Sequence, residues 1–177
     1  TGRGVRRSVL HDRLAERGAC FGVAAGWERP DWYAAQGMPA EYGYSWGRQN
    51  WFEASAAEHR AVREAAGLFD LSSLAKLLVC GPHARRVLDR VSAGRLPDAP
   101  GQVVYTPWLN ERGGIEADVA VMHLADEEYL VCTQAATAVR DLHWLRRHIG
   151  PGAQVQVRDL SSAWAVLALQ GPRSREI

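Results

Sequence analysis

Apolar residues alternate most regularly over 115–124, where Ile115, Ala117, Val119 and Val121 occupy every second position. That spacing gives a strand with Glu116, Asp118, Ala120 and Met122 on its opposite face. QVVYTPWL (102–109) and YLVCT (129–133) read as strands on either side of it. The turn-forming segments NERGG (110–114) and ADEE (125–128) join the three into an antiparallel meander. VQVRDL (155–160) and AWAVLALQ (163–170) are further strands, and LFDLSSLAKLLVC (68–80) is one or two extended segments.

Helical spacing appears four times. SVLHDRLAER (8–17) runs from a capping Ser8 to Gly18, and Ser55-Ala-Ala-Glu58 has capping-box spacing ahead of a helix that reaches Ala66. GPHARRVLDRV (81–91) places Pro82 in a first turn and spaces Ala84, Val87, Leu88 and Val91 as a core stripe. TQAATAVRDLHWLRRHI (133–149) turns Val139, Leu142, Leu145 and Ile149 inward, with His143 and His148 facing solvent beside Arg146 and Arg147. Between the first two helices, Gly26 to Phe52 holds four of the seven tryptophans and no sustained period. A loop of that length is expected to be functional or to cover something.

Composition narrows the classes. The 21 basic and 20 acidic residues nearly cancel, which argues against a nucleic-acid partner. No apolar run approaches a membrane span, so no membrane partner is expected either. Cys20, Cys80 and Cys132 sit far apart in apolar contexts, as buried reduced thiols do; no metal site is expected. Lys76 is the sole lysine and is read as snorkelling from a strand end. Without an initial methionine, and stopping one turn into a new helix, the chain reads as a piece of a longer one.

KLLVCGPHARRVL and AVLALQGPRSREI both run from an apolar strand through Gly-Pro into an arginine-bearing helix, with Gly81 and Gly171 ninety residues apart. That echo implies two similarly built halves, the second cut short. The strand 115–124 carries the chemistry of interest. If the ADEE turn pairs Met122 with Tyr129, one face gathers Asp118, Ala120, Met122, Tyr129, Val131 and Thr133. A carboxylate among apolar groups and a tyrosine suits a flat, partly polar ligand. The other reading makes Asp118 the wet side of an antiparallel strand. Nucleophile-elbow, zinc-protease, P-loop and dinucleotide motifs are absent from the sequence.

LFDLSSLAKLLVCGP, YTPWLNERGGIEADVAV and AVLALQGP, collinear along the chain, resemble the glycine-cleavage T-protein (aminomethyltransferase) family. The Trp-rich segment, GRQNWFEASAAEHRAVREAAGLFDLSS and VRDLHWLRRHI resemble most the C-terminal region of FAD-dependent dimethylglycine and sarcosine dehydrogenases or oxidases. The resemblance implies an α+β T-protein-like folate-binding fold, an antiparallel sheet with packed helices and the first half of a pseudo-duplicated unit. Residues 1–52 would be an N-terminal helix and covering segment, 53–160 the first folate-binding half-domain, and 161–177 the start of the second.

The resemblance also implies a function: tetrahydrofolate would accept one carbon from an N-methylated amine oxidised in an upstream flavin (FAD) domain of the same chain, forming 5,10-methylenetetrahydrofolate. The family aspartate falls on Asp118, and the family's folate-lining positions on Leu74, Tyr105, Tyr129, Val131 and Thr133. Leu74 stands where T-proteins usually have methionine, Thr133 where they often have asparagine, and Ala117 where they often have a second acid. The alternatives are a free-standing aminomethyltransferase and a non-catalytic folate-binding module. The implied location is the cytoplasm of a bacterium, or the mitochondrial matrix in a eukaryote. The 177 residues alone are expected to be inactive.

Overall fold

The computed structural model describes residues 2–177. In chain order the elements are α1 (His11–Glu16), β1 (Ala19–Ala24), β2 (Trp27–Tyr33), α2 (Phe52–Glu64), β3 (Gly67–Asp70), β4 (Ala75–Cys80), α3 (Ala84–Val91), β5 (Val103–Leu109), β6 (Ile115–Ala125), β7 (Glu128–Thr133), α4 (Ala138–Arg147), β8 (Gln156–Asp159) and β9 (Leu167–Gln170). They form two compact units, one of residues 2–73 with Ala165–Ile177 and the other Leu74–Trp164. The expected α+β class and the antiparallel meander are both present.

The Leu74–Trp164 unit is a five-stranded antiparallel sheet in the order β5-β6-β7-β4-β8. Its inner face contributes Leu77, Val79, Trp108, Val119, Val121 and Val131 to one core with Val87, Leu88 and Val91 of α3 and Leu145 of α4. Each large aliphatic side chain buried there contributes about 1.5–3 kcal/mol. The α3 stripe is buried as its spacing predicts. On α4 the expectation holds for Leu145, while Leu142 and Ile149 are half-buried against the core. Val139 instead lies 83% exposed, and the buried position of that turn belongs to Asp141. Its charge is tolerated because hydroxyls and a guanidinium surround it. His143 is exposed, but His148 is half-buried and packs on Trp144.

The other unit holds the β1–β2 hairpin, α1, α2 and the β3–β9 ribbon. The aromatic segment is therefore not one long loop: Trp27–Tyr33 pairs with Ala19–Ala24, which buries Trp27 and Trp32. From Ala34 to Trp51 the backbone is irregular, held by Asn50 and Gln49 side-chain bonds to Gly43, Glu41 and Ser45. Helix α2 starts three residues before Ser55 and makes no side-chain cap. Glu58, expected in a capping box, accepts the Tyr33 N–H at 2.8 Å instead.

The internal echo is structural and extends further than its Gly-Pro core. Phe69-Asp70-Leu71-Ser72-Ser73 is matched by Arg158-Asp159-Leu160-Ser161-Ser162. Each aspartate accepts the N–H of its following serine, Ser72 at 3.0 Å and Ser161 at 2.8 Å. Each leucine N–H bonds across to a facing strand, Leu71 to Val166 and Leu160 to Lys76, both at 2.8 Å. Each serine hydroxyl accepts the N–H of that same residue, Val166 at 3.2 Å and Lys76 at 3.1 Å. Gly81 and Gly171 then take φ values of +123° and +115°. A Cβ at either would run into a facing carbonyl, Gln154 or Ala65.

Candidate functional site

Asp118 lies in the middle of β6 with its side chain exposed, on the face of the five-stranded sheet opposite the core. Cross-strand partners share a face, so the pairs Pro107↔Asp118, Tyr105↔Ala120 and Val103↔Met122 put Pro107, Tyr105 and Val103 beside it. Tyr105 is 69% exposed and stands diagonally across from Asp118 on the same face, one strand away. The Asp118 carboxylate, as an acceptor for the phenol proton, holds the phenol above its ordinary range, with smaller contributions from burial and the negative charge. Ala120 and Met122 are half-buried on the same face. The open part of the sheet thus offers a carboxylate and a phenol hydroxyl over a floor of proline, alanine, valine and methionine.

The other strand does not contribute as expected. Met122 pairs with Leu130, and His123 with Tyr129, because the register shifts between His123 and Ala125. A one-residue shift moves every side chain of a strand to the other face. Leu130 and Cys132 therefore share the face of Asp118, and the grouping of Tyr129, Val131 and Thr133 with Asp118 is corrected. Val131 is fully buried in the core. Thr133 donates its hydroxyl to Asp141 at 2.6 Å. Tyr129 stacks on His123 with centroids 4.5 Å apart. The strand YLVCT is apolar at nearly every position, so its own pattern could not reveal its face. The available signal was Leu124-Ala125, where the alternation of β6 breaks.

Leu74 is half-buried one residue before β4. Lys76, two residues on, pairs with Cys132 and is completely buried, so it does not snorkel from a strand end. Burial pushes the Cys132 thiol up, and the Lys76 charge partly offsets this, so Cys132 stays protonated at neutral pH. All three cysteines are free, with Cys20 and Cys132 buried and Cys80 half-buried.

The concave parts of the surface lie elsewhere. A groove of about 260 Å³ in the other unit is lined by Tyr33, Glu58, Val62, Phe69 and Asp70. A shallow depression of about 430 Å³ in the Leu74–Trp164 unit is lined by Arg85, Asp98, His123 and Tyr129. Neither includes Asp118 or Tyr105, so the candidate site is an open sheet face. Among the described residues no cluster of three or more metal-ligating side chains occurs, and no helix is long and apolar enough to cross a membrane.

Comparison with known proteins gives this face a context. The chain is 44% identical over its whole length to 4-methylaminobutanoate oxidase (formaldehyde-forming) of Paenarthrobacter nicotinovorans, of which it covers 21%. It is 30% identical over 97% of its length to mitochondrial dimethylglycine dehydrogenase of Homo sapiens, covering 20% of that protein. The crystal structure of the glycine cleavage system aminomethyltransferase T from Bartonella henselae superposes with a TM-score of 0.76 at 30% identity, over 98% of this chain and 42% of that one. The chain therefore spans about a fifth of these oxidising relatives and under half of the aminomethyltransferase. With residues 10–177 matching the model of the GCVT N-terminal domain, it belongs to that family of aminomethyltransferase-like domains.

Proposed function

We propose that the Leu74–Trp164 unit carries the first part of a tetrahydrofolate site within a longer, flavin-dependent protein that oxidises an N-methylated amine. The observation that carries this reading is the Asp118–Tyr105 pair on an open, mainly apolar sheet face. A reduced pterin needs a carboxylate for its ring N–H groups and a flat apolar surface for its ring, and these residues fit both needs. When bound, tetrahydrofolate supplies two nitrogens able to accept one carbon as 5,10-methylenetetrahydrofolate.

The protein's own part is binding and proton handling. Asp118 accepts ring N–H groups and serves as the acid-base residue, as a solvent-accessible carboxylate on a half-dry face can. Tyr105 keeps its proton at neutral pH and orients that carboxylate. Pro107, Ala120, Met122 and Leu74 supply apolar contact. Tyr129, Val131 and Thr133 act behind the sheet, as core. The relatives that oxidise 4-methylaminobutanoate and dimethylglycine support an N-methylated amine as the source of the carbon. A free-standing aminomethyltransferase is the second reading, and the 98% coverage by the Bartonella aminomethyltransferase structure favours it.

Two measurements test the proposal. Tetrahydrofolate titrated into this chain and its Asp118→Asn variant should bind the variant more weakly, by about tenfold or more for a lost charge-assisted bond. In the longer protein, the same substitution should lower the yield of methylenetetrahydrofolate and leave flavin reduction intact. An unchanged yield would remove Asp118 from the assignment. A longer protein without bound flavin would favour the second reading.

A further inference from the structure

No helix shields Asp118 or Tyr105 from solvent, so their relative placement depends on the backbone of β6. That backbone has a weak point close by. The β5–β6 register shifts between Trp108 and Leu109, just before the turn 110–114, and a bulge leaves residues outside the regular ladder. The first residues of β6 are therefore held by fewer main-chain bonds than its middle.

Side chains grip this end from two directions. Asn110 Nδ2 donates to Glu116 Oε1 at 2.7 Å, while Asn110 Oδ1 accepts the N–H groups of Arg112 and Gly114 at 3.0 and 2.9 Å. From α4, the Arg140 guanidinium donates to the backbone carbonyl of Glu116, two residues before Asp118. The same guanidinium is fixed by Asp141, with Nε–Oδ1 at 3.0 Å and Nη2–Oδ1 at 2.9 Å. Asp141 is 1% exposed and also accepts the hydroxyls of Thr133 and Thr137, each at 2.6 Å. A buried carboxylate with three donors has little freedom, so it fixes the arginine fork in one orientation.

We propose that Arg140, oriented by Asp141, is a positioning residue: it pins β6 at Glu116 and thereby keeps the Asp118 carboxylate in place beside Tyr105 of the neighbouring strand. The inference rests on Asp118 being the working carboxylate of the site, but its primary test needs no folate. Arg140→Met leaves the Thr133 and Thr137 hydroxyls on Asp141, so the variant should fold, though less stably, and a denaturation curve fixes the pH range in which it is titrated folded. With ¹³Cζ-tyrosine labelling, and Tyr105→Phe to assign the signal, the phenol of Tyr105 in Arg140→Met should titrate lower than in the unaltered chain. Arg140→Lys, which still offers an N–H to the carbonyl, should restore part of the difference. Tetrahydrofolate affinity should fall by about tenfold in Arg140→Met, the scale expected from sub-ångström misplacement of a binding group. A Tyr105 titration in Arg140→Met identical to that of the unaltered chain overturns the inference. If the phenol moves while neither chain binds tetrahydrofolate, the positioning role stands and the folate reading fails.

Discussion

Tyr105 reports on Asp118. Because the neighbouring carboxylate raises its phenol, Tyr105 keeps its proton at neutral pH. A group with a raised folded-state value contributes stability below its ordinary titration, here about 10, and loses it as pH rises through the folded-state value. Asp118→Asn should return the phenol to the ordinary range, which the same labelled-tyrosine titration would detect, and an unmoved signal would dissociate the pair. Thr133 allows a sharper contrast with the sequence-based expectation. Its hydroxyl serves buried Asp141, so Thr133→Val should destabilise the fold by about 1–3 kcal/mol in chemical denaturation while leaving the Asp118 face unaltered. Selective loss of ligand affinity without loss of stability would put Thr133 back in the site. Asp118 was legible because β6 alternates strictly. Thr133 was misplaced because β7 does not, and a bulge one strand away decides which way it points.

Elements with a regular or continuous apolar pattern were found close to where the pattern puts them: α3 and β6 by their spacing, β5 and β7 as apolar runs between turns. Those held by polar contacts were not. The start of α2 moved because Glu58 bonds to the backbone of β2, a partner 25 residues away in sequence. The β1–β2 hairpin was hidden because its second strand lies in an aromatic stretch without a period; across from it, Gly22 leaves room that the Asp31 side chain occupies. Helix α1 buries no residue, and the segment that leads into it is fixed largely through charge. Glu28, buried on β2, meets Arg7 at 3.0 Å, His11 Nε2 at 3.0 Å and Arg3 at 3.5 Å. Burial alone would raise the Glu28 carboxyl, but the Gly4 N–H and the Arg7 and His11 charges outweigh it and lower the value. Stability from a lowered carboxyl is present above its ordinary titration, about 4.3, and is lost as pH falls through the lower folded-state value. Residues 2–16 should therefore become protease-sensitive on acidification before the five-stranded sheet unfolds. Glu28→Gln should show the same sensitivity at neutral pH; equal cleavage rates in both chains would refute the charge-based anchoring.

At the scale of the molecule, the ninety-residue echo shows two copies of one device: a strand, an Asp-Leu-Ser-Ser turn locked to a facing strand, and a glycine that only its backbone fits. The Gly-Pro core of the repeat could be read in the sequence. Its longer Asp-Leu-Ser-Ser part acquires meaning only from bonds between residues about 90 positions apart. Lys76 lies inside one copy, donating its N–H to Ser161 and accepting from Leu160. It is fully buried and it is the sole lysine. A side-chain amine as fully buried as this one is inaccessible to acylating reagents until the strand that carries it opens. Brief treatment of the native chain with an amine-acylating ester should therefore leave Lys76 unmodified, and peptide mass analysis should find it acylated once denaturant passes the unfolding midpoint. With one ε-amine per chain, the modified fraction reads directly as the fraction in which β4 has opened. Modification of Lys76 at native conditions, at the rate of an exposed lysine, would contradict the placement of this residue and of the repeat that holds it.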